Sequence, residues 1–412
     1  MAKAKPILVC YLPGLDARRL SPEVTPNICA ARDAFGAVTL ETIPTTELVP
    51  SMITGVLPHQ HRIWQVSLRP DFRDRSRNSV TDFVPDLMTT TVQCTRHFFD
   101  RTYDLAAVPF RRRRRFELHR FKYTRRAEDP DSIREFGGYK TIFGLLGNEA
   151  RYVFTKDFGD LDGLASELPR CDESLLSLVE MYALDLTQHW HLDNPTVMKE
   201  ALRKTDVFVG LLIDGCRRSG KRLILLSDHG QEPVTGTVPL IQSVHGTGIS
   251  RREFTMFVEL ASARFWFHTE SARNAILPRL RALPHSSVLD WREMHRFGIC
   301  FDDDAFGEYY VIADAGKVFF PHDFYQPVAN AVLGLLDQHQ RQRVTNPVHR
   351  GNHGYLPHFP SELGWVTVLD DEISAATDNG HIVDIAPTLL DLAGKPAPDY
   401  MAGKSLFRFS DH

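Results

Sequence analysis

Two unbroken apolar runs, each of strand length and each ending on acidic residues and glycine, limit the fold more than any other feature. PILVCYL, at 6–12, runs into Pro13, Gly14 and then Asp16; KRLILLSDHG, at 221–230, closes on Asp228, His229 and Gly230. A strand that is apolar at every position has no solvent face, which marks a parallel sheet covered by helices on both sides. The spacing predicts helices in the intervals, over SMITGVL (51–57), SLLSLVEMYAL (174–184) and PTVMKEALRKTDVFVGLLIDGCRRSG (195–220). Strands alternating with helices predict an α/β fold with a mostly parallel central sheet.

At 412 residues and 43% hydrophobic content, the chain is long enough for one large α/β domain carrying insertions. A small α+β cap is expected over 268–325, where SARNAILPRLRAL reads as a helix and SSVLDW, EYYVIAD and DAGKVFF read as strands. The core is then 1–267 plus 326–412, interrupted over about 85–150 by a basic excursion without a clean period. HIVDIAPTLLDLAGKP reads as a late helix stopped by Gly394, with Pro396 beyond. The first apolar run is too short for a signal peptide or a membrane span. Six cysteines are scattered without close pairs, which reads as reduced thiols in a cytoplasmic protein with no membrane partner.

Ligands of open parallel sheets bind beyond the carboxyl ends of the strands, where Asp16, Asp228 and His229 fall. YALDLTQHW adds Asp185 and His189 at i, i+4, one face of a helical turn. GNHGYLPH sets His353 between Gly351 and Gly354. Three aspartates and three histidines suit a pair of divalent metal sites, zinc or manganese. Taken one at a time, a strand-end aspartate is usually a turn residue and an i, i+4 Asp–His pair can be a plain surface contact. A nucleophile candidate, Thr45, follows Pro44 just before a helical stretch, where free N–H groups favour an anion. Threonine in that place also serves as an ordinary N-cap.

These strings together resemble the alkaline phosphatase superfamily, in particular its nucleotide pyrophosphatase/phosphodiesterase branch and the related phosphonoacetate hydrolases. TGVLPHQHRI is similar to its TG-x-x-P-x-x-HG-I segment, SDHG to its SDHG block, YALDLTQH to P-D-x-x-G-H and GNHGYLP to G-x-HGY. VDIAPTLLDLAGKPAPDYMAGKSL resembles its closing helix and loop, so the likeness runs from Asp16 to Leu406 in the family's order. It implies one metal held by Asp16, Asp228 and His229 with the Thr45 hydroxyl, and a second held by Asp185, His189 and His353. Thr45, nine residues before Thr54, takes the nucleophile's place, with Thr46 as its neighbour. The implied activity is hydrolysis of a phosphodiester or nucleotide pyrophosphate of a small molecule through a covalent phospho-threonine. The substrate is then a small phosphate- or phosphonate-containing anion such as a nucleotide.

The chain departs from that pattern at three places. Arg62 replaces the glycine of HGI, Gln188 replaces the glycine of D-x-x-G-H, and Trp64-Gln65-Val66 stands where an asparagine commonly holds a phosphate oxygen. Gln65 and Arg62 are the substrate-binding candidates there. Phosphonate or phosphomonoester hydrolysis on the same metals is the alternative enzymatic reading. A degenerate relative, or an RNA-binding protein using FRRRRRFELHRFKYTRR (110–126), is the non-enzymatic one. A net charge of −4 and the usual solvated role of charge runs weigh against nucleic acid.

Overall fold

A computed structural model describes residues 5–65, 68–70, 116–118, 130–159, 161–170, 174–323 and 348–410. The arginine-rich run and most of the basic excursion lie outside the described residues. By contacts the chain divides into Met1–Gln65, Phe121–Pro233 and Leu356–His412 as one unit, and Val66–Arg120 with Val234–Tyr355 as another.

The first unit is built on a seven-stranded sheet. Its strands are β1 (Ile7–Tyr11), β2 (Val38–Glu41), β3 (Ala150–Thr155), β4 (Leu176–Met181), β5 (Arg222–Ser227), β6 (Gly364–Leu369) and β7 (Asn379–His381). They lie in the order β7-β2-β6-β5-β1-β4-β3. β1 is parallel to both β4 and β5, with Ile7 opposite Leu176 and Arg222. β6 alone runs against its neighbours β2 and β5. Every residue of β1, β4 and β5 is buried, as two-sided helix cover requires.

Four helices matter here: α1 (Pro26–Phe35), α2 (Val49–Thr54), α3 (Ala183–His191) and α4 (Pro195–Ser219). Ile28, Leu184, Met198, Leu202, Phe208, Val209 and Leu212 from α1, α3 and α4 join Leu8, Cys10 and Leu225 in one core cluster. Thr25 makes no side-chain cap on α1. Asp206 of α4 does that work, taking the N–H of Ile28 at 2.9 Å and of Asn27 at 3.2 Å. The late helix, α5 (Ile385–Leu392), is closed by Gly394 at φ 69°, as its sequence predicts. The stretch 174–184 differs from expectation: Leu176–Met181 is the central strand β4, and the helix starts at Ala183. A short apolar run has no period that separates a buried strand from a buried helix. No described helix is long and apolar enough to cross a membrane.

The second unit contains a four-stranded antiparallel sheet in the order 254–258, 262–267, 309–313, 286–289. Its helix Glu270–Arg281 is capped by the Thr269 hydroxyl, which accepts from the Ala272 N–H at 3.1 Å. The helix and strands read from 268–325 all lie in this unit, and the sheet also takes in Phe254–Val258 and Ser262–Phe267.

Candidate active site

The carboxyl ends of β1 and β5 are tied together by side chains. Tyr11, the last residue of β1, donates its hydroxyl to Asp228 Oδ2 at 2.6 Å. Asp228 Oδ1 accepts from the His229 N–H at 3.0 Å and the Gly14 N–H at 3.4 Å. The His229 Nδ1 lies 2.8 Å from the Gly230 carbonyl, which can only accept, so Nδ1 carries the proton. That leaves the Nε2 lone pair 3.3 Å from Asp228 Oδ2. Two electron-pair donors at that separation repel unless a proton or a cation lies between them. The same field acts on protons. Burial pushes the His229 imidazole down, but Asp228, Asp185 and Glu362 outweigh it and its pKa is raised. Burial also raises Asp228, against the pull of His229 and Tyr11.

Asp16 belongs to the same cluster. A Cβ added at Gly230 would lie 2.6 Å from both Asp16 Cβ and Oδ2, so the SDHG backbone packs directly on this carboxylate. Asp16 is buried and caps the short turn after β1 by accepting from the Arg18 N–H at 2.8 Å. The Arg18 guanidinium reaches round to grip both its oxygens, at 2.6 Å to Oδ2, and continues to Glu232 at 3.1 Å.

Asp185 and His189 share a face of α3 as their spacing predicts, with His189 Nε2 3.4 Å from Asp185 Oδ2. The other oxygen of Asp185 accepts from Gln231 Nε2 at 2.6 Å. Gly14 explains its own identity here. Its φ is 73°, and a Cβ would lie 2.7 Å from Asp185 Oδ1 and 2.9 Å from Gln188 Nε2. Gln188, a departure from the family pattern, donates to the Gly14 carbonyl at 2.7 Å and so fastens α3 to the turn after β1. Within the first unit the fold thus gathers Asp16, Asp185, His189, Asp228 and His229 beyond the carboxyl ends of the interior strands β1, β4 and β5. His353 lies in the second unit after the strand Gly351–Asn352. It is 5% exposed, and its carbonyl accepts from Asn352 Nδ2 at 3.0 Å.

Thr45 is 1% exposed but does not cap α2, which starts at Val49 with Leu48 before it. Thr45 instead sits in a tight turn. Its N–H donates to the Ile43 carbonyl at 2.7 Å, and its hydroxyl oxygen accepts from the Glu47 N–H at 3.0 Å. That bond leaves the hydroxyl proton uncommitted by the turn. Thr46, by contrast, is exposed. Two cross-links hold this turn against 64–65: Trp64 Nε1 donates to the Pro44 carbonyl at 3.0 Å, and the Thr46 hydroxyl donates to Gln65 Oε1 at 2.8 Å. Arg62 takes a left-handed φ of 63°. Glycine is at home in that conformation and another residue pays about 1 kcal/mol, which accounts for the family's glycine and makes arginine an exception.

Sequence reasoning missed Tyr11, Arg18 and Gln231. Tyr11 is apolar-run material until β5 is known to lie beside β1. Gln231, directly after SDHG, gave the one available signal, a polar residue continuing a functional block.

The sequence matches the family model described as type I phosphodiesterase/nucleotide pyrophosphatase over residues 14–297. Among solved structures, murine ectonucleotide pyrophosphatase/phosphodiesterase 5 resembles the chain with a TM-score of 0.64 at 13% identity, covering 96% of each chain. An inactive form of that protein in complex with AMP gives the same values. The human counterpart gives a TM-score of 0.61, again at 13% identity and 96% of each chain. No curated protein matches the chain in sequence.

Proposed function

The chain belongs to the type I phosphodiesterase/nucleotide pyrophosphatase family, and on that premise we propose that it cleaves a phosphodiester or nucleotide pyrophosphate with Thr45 as nucleophile and two divalent metal ions. Asp16, Asp228 and His229, with the Thr45 hydroxyl, would hold one ion; Asp185, His189 and His353 would hold the other. The observation that carries this reading is that His189 Nε2 lies 3.4 Å from Asp185 Oδ2 on one face of α3, beside the Asp228 and His229 pair. The 3.3 Å approach of His229 Nε2 to Asp228 Oδ2 supports the other site. Imidazole with carboxylate suits zinc, and manganese accepts the same set. When bound, such ions would supply positive charge that favours an ionised hydroxyl and offsets charge on the phosphoryl oxygens.

The chain's own residues do the rest. Glu47 N–H holds the Thr45 oxygen in place, and that oxygen forms a bond to phosphorus as the bond to the leaving oxygen breaks with its electron pair. Water then attacks phosphorus, the Thr45 oxygen leaves with the electron pair of its bond, and a proton given up by the attacking water restores the hydroxyl. Gln65 and Arg62 would meet the non-bridging oxygens. A nucleotide-like substrate is supported by the AMP bound to the murine relative. A reducing, cytoplasmic setting is part of the proposal, supported by free thiols at Cys10, Cys29, Cys216 and Cys300.

The test is metal content together with turnover of bis-p-nitrophenyl phosphate and p-nitrophenyl phosphate. About two ions per chain, and diester turnover abolished by a chelator and restored by zinc or manganese, is the expected result. Faster monoester or phosphonate cleavage would move the assignment to that alternative. No bound metal and no turnover would end the catalytic reading.

Gln231 gives a second check on the metals. Its amide holds Asp185 Oδ1 and is fully buried. Gln231→Leu should weaken the ion at Asp185 and His189 by about 10–100-fold, measured by competition with a chromophoric chelator. Unchanged affinity would show that Gln231 does not support an ion through Asp185.

A further inference from the structure

Gln65 is 1% exposed, yet among the described residues its Nε2 has no hydrogen-bond partner. A buried donor left unmade costs about 1–3 kcal/mol, so natural chains keep one where something else is to fill it. The amide cannot relieve itself by flipping. Both the Thr46 N–H, at 3.4 Å, and the Thr46 hydroxyl, at 2.8 Å, point at the other end of the group, Oε1. A backbone N–H only donates, so the end facing Thr46 has to be the oxygen and the NH2 end has to face away. Gln65 itself stands at a left-handed φ of 55°. That strained backbone is pinned on its other side by the bond from Trp64 to Pro44.

We propose that Thr46 is the positioning residue of the phosphate subsite: it fixes the amide of Gln65 so that Nε2 is presented as a donor to a non-bridging phosphoryl oxygen. The inference rests on the phosphoryl-transfer reading above and deepens it. One residue, Thr45, supplies the attacking oxygen, while its neighbour Thr46, exposed and outside the chemistry, sets the polarity of the group that receives the phosphate. Thr46 touches no reacting atom. Its side chain acts through Gln65 alone, which separates it from a second nucleophile.

Four variants test this: Thr46→Val, Thr46→Ser, Gln65→Leu and the double Thr46→Val/Gln65→Leu. Diester kinetics and binding of inorganic phosphate by calorimetry are measured on each, with the urea midpoint as a check on folding. Thr46→Val should lower kcat by about tenfold and weaken phosphate about tenfold, since it removes the 2.8 Å hydroxyl bond and leaves only the longer N–H contact at 3.4 Å to hold the amide. Thr46→Ser, which keeps the hydroxyl, should restore both. Gln65→Leu should lose at least as much, and the double variant no more than Gln65→Leu alone, because the two residues act as one unit. Additive losses, or full phosphate binding by Thr46→Val, would overturn the proposal. If Thr45→Ala left the rate unchanged, the nucleophile reading would fall. Phosphate binding weakened alike by Thr46→Val and Gln65→Leu would still uphold the oriented donor, and a wild type that binds no phosphate would refute it.

Discussion

Thr45→Ala should lower turnover of bis-p-nitrophenyl phosphate by at least about 10³-fold while leaving metal content intact, because on the proposed mechanism the variant lacks the oxygen that bonds to phosphorus. The structural cost is small. The Thr45 hydroxyl makes one local bond, accepting from the Glu47 N–H at 3.0 Å, and losing it costs about 1 kcal/mol. Thr45→Ser keeps the oxygen and should keep most of the rate. An acid-quenched wild-type reaction should carry a phosphoryl adduct on the peptide containing Thr45, and the alanine variant should carry none. Diester turnover surviving Thr45→Ala, with the adduct on Thr46, would move the nucleophile by one residue and remove Thr46 from its positioning role.

The largest stability effect should come with acid, through His61. Its Nδ1 accepts from the Ile63 N–H at 3.1 Å, so Nε2 bears the proton and donates to Ser51 Oγ at 2.9 Å. The serine is therefore an acceptor in this pair, and the imidazole is not placed to take a proton from it. Burial pushes His61 from 6.5 down to about 3. The unfolded chain takes up this proton as pH falls below about 6.5, whereas the folded chain resists until about 3. Stability contributed by the neutral ring is thus present above 6.5 and lost as pH drops through that window, by up to about 1.4 kcal/mol per pH unit. Between about pH 7 and about pH 5 the loss should be about 2 kcal/mol. His61→Asn keeps an acceptor for Ile63 and removes the titration. Urea unfolding at both pH values should show wild type losing about 2 kcal/mol more than the variant. Equal losses would mean that His61 is protonated in the folded protein or that other groups dominate.

Strands β1 and β5 were readable because burial on both faces writes an unbroken apolar run. For the same reason β4 was misread, since LSLVEM carries no period to tell strand from helix. The spacing of Asp185 and His189 gave their shared face, because i, i+4 geometry is local. Thr45 was legible as a candidate residue but not as a conformation: the chain turns at 45–47 and enters the helix only at Val49. What stayed hidden depends on register between distant strands. Tyr11 faces Leu226 across the β1–β5 pairing, and only that register brings its hydroxyl to Asp228 two residues further on. The polarity of Gln65 and the grip of Gln231 on Asp185 are equally tertiary, set by which backbone comes to lie beside them.

The antiparallel strand β6 has a bearing on how the protein is made. It lies between β2, which leads into the Thr45 turn, and β5, which leads into Asp228 and His229, and Gly364 pairs with Leu40 across almost the whole chain. While the chain is still being synthesised, the strand leading to Thr45 and the strand leading to Asp228 and His229 have nothing between them until residue 369 has left the ribosome. A product released earlier carries Thr45, Asp16, Asp228 and His229 but lacks the strand that sets them in register. Pairings this distant in sequence are slow to form and leave strand edges open meanwhile. Inactivity of every fragment ending before β6 is the expected consequence of where that one strand lies in the sequence.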